Sequence, residues 1–248
     1  MQKFGFVWLI AWWFLYEKPE AHNDQVPLET IENQANKGTY ADIFKNRAIW
    51  GFVFGKLFTD PIWWFFLFWL PAYLTDIYHL DLKKMGTPLV IIYLAATIGS
   101  VGGGWLSSML IKKGWSETKA RLTCMLGFAF CVTPVMLISQ VADFWIVVAI
   151  LCLAVSAHQA WSANLFATVA DKFENKVVSR VVGIGTMAGT LGGTLFPLLV
   201  GYILDYYKSI NQLSGGYTVI FYMAGFAYLI AWLLLRYFVK SRGMSHEL

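Results

Sequence analysis

The sequence predicts an all-α integral membrane protein, and three observations carry that prediction. Of the 248 residues, 58% are hydrophobic and only 14% charged, whereas soluble domains carry roughly 25% charged residues. The apolar residues gather in runs that reach the ~20 residues needed to cross a bilayer. These runs do not alternate with polar residues as the strands of a membrane β-barrel do. They fall at 4–16, 48–75, 87–111, 122–139, 144–169, 181–206 and 217–239. The first is too short for a comfortable crossing and is expected to be the end of a helix that starts earlier. The other six form a helical bundle.

Charge sets the orientation. The loops 17–47, 112–121 and 171–180 and the C-terminal tail hold fourteen of the 19 Lys and Arg residues. The opposite side holds Lys3, Lys83, Lys84 and Lys208, and Lys56 lies inside a span. This positive-inside bias assigns the fourteen, and the C-terminus with them, to the cytoplasm. The net charge of +4 therefore reflects membrane anchoring and not a nucleic-acid surface, and no basic nucleic-acid motif is present. Cys124, Cys131 and Cys152 all fall inside predicted spans, at spacings that match no metal or redox motif. No metal or other cofactor is implied.

Taken in order, residues 4–16 lack the basic start and small-residue cleavage site of a signal peptide. The loop 17–47 mixes six acidic with four basic residues and is expected to be a solvated linker, with room for a short surface helix across 28–36 that Pro27 can open. The expected domains are thus 1–16, the end of the last helix of a preceding N-terminal bundle; 17–47, a cytoplasmic linker; 48–239, a six-helix bundle; and 240–248, a cytoplasmic tail.

The segment 48–75 contains Lys56, Asp60, Pro61, Trp63, Trp64, Trp69 and Pro71. Pro61 removes a backbone donor and predicts a kink near the middle of the helix. Lys56 and Asp60 are four apart and share a face. Isolated at that depth, each charge costs about 2.5–3.5 kcal/mol, so they either pair with one another or meet a solute or proton. Gly99, Gly102, Gly103 and Gly104 in the next segment, and Gly185, Gly189 and Gly193 in the segment 181–206, give surfaces almost without side chains. Small residues at four-residue spacing let helices approach closely, as static packing or as a contact that rocks during transport. The segments 122–139 and 217–239 carry few polar groups and are expected to be lipid-facing supports.

The polar run from Ser156 to Phe166 stands in the middle of the apolar segment 144–169. On a helix His158, Gln159, Ser162 and Phe166 fall within about a 100° arc, while Trp161, Asn164 and Thr168 form a second arc. The first face offers an imidazole, an amide, a hydroxyl and an aromatic ring, which suits directed hydrogen bonds and ring stacking with a polyhydroxylated solute. A neutral His158 bonded inside the protein weighs about equally. Trp161 and Asn164 are expected to buttress that wall.

The stretches Lys56-Leu-Phe-Thr-Asp-Pro-Ile-Trp-Trp-Phe-Phe-Leu-Phe-Trp-Leu-Pro71, Ala157-His-Gln-Ala-Trp-Ser-Ala-Asn-Leu-Phe166 and Val182-Gly-Ile-Gly-Thr-Met-Ala-Gly-Thr-Leu-Gly-Gly193 resemble the C-terminal half of the major facilitator superfamily. Within it they are similar to the anion:cation symporter branch and its bacterial hexuronate transporters. The resemblance implies that 48–75 and 144–169 line the cavity and that the glycine-rich segments meet the first half. Residues 104–114 look like the superfamily's cytoplasmic gate motif, with Ser108 where an acidic residue is usual. The main proton-coupling carboxylates and a substrate-binding Arg of the family belong to its first half.

The function expected is the C-terminal half of a secondary transporter in the cell inner membrane, taking up a sugar acid such as hexuronate with protons by alternating access. Its partners would be a small organic anion, protons, the lipid bilayer and an N-terminal bundle. Expected solute contacts are Trp63, Trp64, His158, Gln159, Ser162 and Phe166, then Thr186 and Met187; Lys56 and Asp60 are a charge pair or a coupling element. The alternative is a seven-helix receptor or an intramembrane enzyme. An enzyme needs a nucleophile–base pair or a metal cluster at common depth, and the sequence gives His158 no acidic or Cys partner.

Overall fold

A computed structural model describes residues 12–13 and 40–239, apart from the side chains of Leu82 and Lys83. The chain divides into two compact units, Met1–Thr39 and Tyr40–Leu248. In the first unit the described residues are Trp12 and Trp13, both helical. The expected helix end at 1–16 is otherwise outside the described residues, as are the surface helix at 28–36, most of the linker and the tail 240–248.

The described residues of the second unit form helices joined by short turns. A short helix α1 (Tyr40–Lys45) leads through Asn46, whose side chain accepts from the Ala48 amide at 3.0 Å, into α2 (Arg47–Phe68). That bond satisfies one of the orphan donors of the first turn. Beyond follow α3 (Leu70–Tyr78), α4 (Leu82–Lys112), α5 (Glu117–Val132) continued by a 3₁₀ segment (Thr133–Gln140), α6 (Phe144–Lys172), α7 (Asn175–Ser209) and α8 (Leu213–Val239). Asp81 and Asp143 cap α4 and α6 by accepting from amides of their first turns.

Among the described residues, five helical stretches are long and apolar enough to cross a membrane: Lys84–Lys112, Glu117–Gln140, Phe144–Lys172, Asn175–Ser209 and Leu213–Val239. The tryptophan-rich α2, with 22 residues, is about 33 Å long at ~1.5 Å per residue, close to the ~30 Å hydrocarbon core. Its bend differs from the expected one. Pro61 sits inside an unbroken α2, and the chain breaks instead at Trp69, just before Pro71. The two prolines are met differently by the neighbouring helices. Pro61 strips the Leu57 carbonyl of its helical donor, and Gly192 of α7 comes so close there that a side chain on it would lie 2.9 Å from that oxygen. At Pro71 the Tyr93 hydroxyl of α4 donates to the Phe66 and Leu67 carbonyls, at 3.2 and 3.4 Å.

Two long helix pairs build the bundle, α4 along α6 and α2 along α7, and α8 packs against both α2 and α5. Glycines decide the first two. A Cβ on Gly99 or Gly103 would overlap Ser156 or Ala160 of α6, and one on Gly185, Gly189 or Gly193 would overlap Phe52, Asp60 or Trp64 of α2. These stripes therefore seat helices within this bundle, whereas the resemblance had them facing another. Gly102, Gly104 and Gly183 meet nothing within 4 Å and lie on the open faces of α4 and α7. The helix α8 also departs from its expected role as a lipid-facing support. Tyr217, Phe221, Ala224, Tyr228, Ala231 and Leu235 form a fully buried stripe along it.

Candidate functional site

The site grows from α2 and α6, which bring polar groups to the middle of the apolar unit. On α2 the Lys56 ammonium lies 2.7 Å from the Asp60 carboxylate, with their side chains 7% and 16% exposed. The i,i+4 spacing makes this pair possible, and burial makes it necessary for Lys56. The same ammonium stands over the Phe166 ring of α6, 4.6 Å from its centroid, where the ring's negative face attracts a cation. Phe52 meets Phe166 edge-on at 5.6 Å. Asp60 in turn rests on the bare backbone of Gly189.

One turn further along α2, Trp63 stacks flat on His158, with centroids 5.0 Å apart and planes 7° apart. His158 is buried, and its Nδ1 shares a hydrogen bond of 2.5 Å with the Tyr228 hydroxyl of α8. Trp161 packs edge-on against that same tyrosine. The imidazole is thus clamped on three sides, by an indole face, a phenol and its own helix. Gln159 and Ser162 are half-buried on the same arc of α6. Among the described residues their side chains make no hydrogen bond, so their amide and hydroxyl are unengaged.

Asn164 lies on the opposite face, where its Nδ2 donates to the carbonyls of Gly103 and Ala160, both at 2.9 Å. Among the described residues its buried Oδ1 and the buried Trp161 Nε1 have no partner.

The structure separates the two tryptophans that the sequence joins. Trp63 faces His158, whereas Trp64 lies over Gly193 of α7 and stacks on Phe68. Thr186 is exposed, as is Met187 at 66%; they lie on the open face of α7, apart from the His158 cluster. Two residues of the neighbourhood were missed. The sequence does not single out Tyr228 because 217–239 carries few polar groups, although the buried stripe through Tyr228 and Leu235 has a recognisable helical spacing. Arg121 was counted only as a topogenic charge. It donates from Nε to Asp171 at 2.8 Å and from a terminal nitrogen to Ser107 at 2.9 Å, tying α4, α5 and α6 together beside the gate-like motif, in which Ser108 itself is exposed.

Among the described residues no three His, Cys, Asp or Glu side chains gather as they would around a metal ion. What the elements assemble is a cation, an aromatic face and free hydrogen-bonding groups at bilayer depth. Fold and site together define a multi-pass helical membrane protein whose spans carry a polar wall. The model of the Major Facilitator Superfamily matches residues 4–197, and the chain belongs to that family. It is 26% identical over 220 residues to the "Probable L-galactonate transporter" of Escherichia coli (strain K12), covering 81% of this chain and 47% of that one. The "Hexuronate transporter" of the same strain is 26% identical over 216 residues, covering 81% and 49%. Its "Probable galactarate/D-glucarate transporter" is 31% identical over 170 residues, covering 68% and 38%. The chain thus spans about half the length of these relatives, or less.

Proposed function

We propose that this chain supplies one wall of the solute path in a secondary transporter for sugar acids, hexuronates foremost, driven by protons and working by alternating access. The observation that carries the reading is the Lys56 ammonium held over Phe166 beside the unengaged Gln159 and Ser162. A sugar acid presents a carboxylate, several hydroxyls and an apolar ring edge. A cation, an amide, a hydroxyl and aromatic faces complement those groups one for one. The names of the relatives, all sugar-acid transporters, point the same way. In this reading Trp63, Gln159, Ser162 and Phe166 face the solute, and the buried His158 holds the Trp63 indole in place. Trp64 shapes the wall from behind, and Thr186 and Met187 act on the face that α7 turns outward.

The transport cycle would rock this bundle against a second one around a site near the bilayer midplane. The positive-inside bias puts the C-terminus in the cytoplasm, and the cell inner membrane is the proposed location. Uptake of labelled glucuronate and galacturonate by cells expressing the full-length gene product tests the reading. Gln159→Ala is expected to lower uptake at least tenfold, the loss of a charged or bidentate contact of about 1.4 kcal/mol or more, with membrane expression unchanged. Normal uptake by that variant would remove Gln159 from the site.

A further inference from the structure

Resting on that reading, we propose that Lys56 and Asp60 form an exchange latch: a proton taken up by Asp60 releases the Lys56 ammonium to bind the carboxylate of the solute. Three features support it. The pair is formed within one helix, so parting the two side chains breaks no tertiary link. Asp60 is more exposed than Lys56, at 16% against 7%, and is therefore the partner nearer to water. Lys56 has no hydrogen-bond acceptor besides Asp60 among the described residues, only the Phe166 ring, so a lysine freed from Asp60 must acquire another anion. A buried, uncompensated charge is not stable for long.

The balance closes. Before exchange the site holds Lys56 positive and Asp60 negative, net zero. After it, Asp60 carries a proton on a carboxyl oxygen, Lys56 faces the solute carboxylate, and the net is again zero. One proton enters for each carboxylate bound, without a buried charge left over at either stage. The ionisable groups that face the pair from other helices are His158 on α6 and Tyr228 on α8, which are already bonded to each other. The facing residue of α7 is Gly189, which is not ionisable. Because Asp60 rests on Gly189, a change at this carboxyl is felt directly by the backbone of α7.

The test is glucuronate binding to the purified full-length gene product between pH 5.5 and 8, by isothermal calorimetry. For the wild type, affinity should fall by about tenfold per pH unit over the range where Asp60 loses its proton, as linkage of one proton requires. Asp60→Asn, which mimics the protonated side chain, should bind with an affinity that varies less than about twofold over the same range. His158→Asn should weaken binding while keeping the wild-type slope, which separates the two titratable positions. The charge-swapped protein K56D/D60K preserves the ion pair and is expected to fold yet fail to bind glucuronate. A wild-type slope in Asp60→Asn, or normal binding by the swapped protein, overturns the latch and leaves the sugar-acid reading standing. Absence of glucuronate binding by the wild type overturns the sugar-acid reading, and the latch with it.

Discussion

The two mostly buried ion pairs Arg121–Asp171 and Lys56–Asp60 are built for different purposes. They are similar in length, 2.8 and 2.7 Å, and similar in burial. The first joins α5 to α6 and reaches α4 through Ser107, whose hydroxyl donates to the Gly104 carbonyl at 3.1 Å. It uses a planar fork that engages both carboxylate oxygens, a geometry that fixes position as well as charge. The second spans one turn of a single helix and uses a point charge on a flexible stem. Saturated, inter-helical bonding makes a fastener. Sparse, local bonding makes a contact that can change partners at little structural expense.

The contrast can be broken by substitution. Arg121→Ala leaves Asp171 charged and half-buried and cuts a three-helix junction, so thermal unfolding in detergent should show the largest loss, about 3 kcal/mol. Lys56→Met should cost less than half of that, because Asp60 can take a proton and remain as a neutral acid. Equal losses would put the two pairs in one class. Gly189→Ala forces a methyl into the Asp60 carboxylate and should destabilise by about 2 kcal/mol, whereas Gly102→Ala, with open space around it, should be near neutral. Ser107→Ala should cost less than the other junction variant, about 1 kcal/mol; a loss as large as that of Arg121→Ala would show the serine, and not the carboxylate, to be the anchor.

Much of the architecture was legible before any coordinates. Long apolar runs without alternation admit only spanning helices, and their order gave the bundle. The arc of His158, Gln159, Ser162 and Phe166 was readable from helical geometry, as was the second arc on which Asn164 now bonds to Gly103. What escaped were facts that depend on which helix lies next. Trp63 and Trp64 are neighbours in sequence but differ by about 100° on a helix, and only the positions of α6 and α7 decide which of them faces His158 and which meets Gly193. Tyr228 lies in the middle of a segment with few polar groups, so its role follows from the proximity of α6. The glycine stripes announced close packing without naming the partner, and their partners proved to be α6 and α2.

The bend between α2 and α3 carries one further lesson. A single phenolic hydroxyl on α4 answers both of the acceptors nearest the break, in a region where hydrocarbon offers no substitute donor. Tyr93 therefore works as a splint. The curvature of one helix is written partly in the sequence of its neighbour, and a Phe at that position would unsettle a bend located more than twenty residues away along the chain.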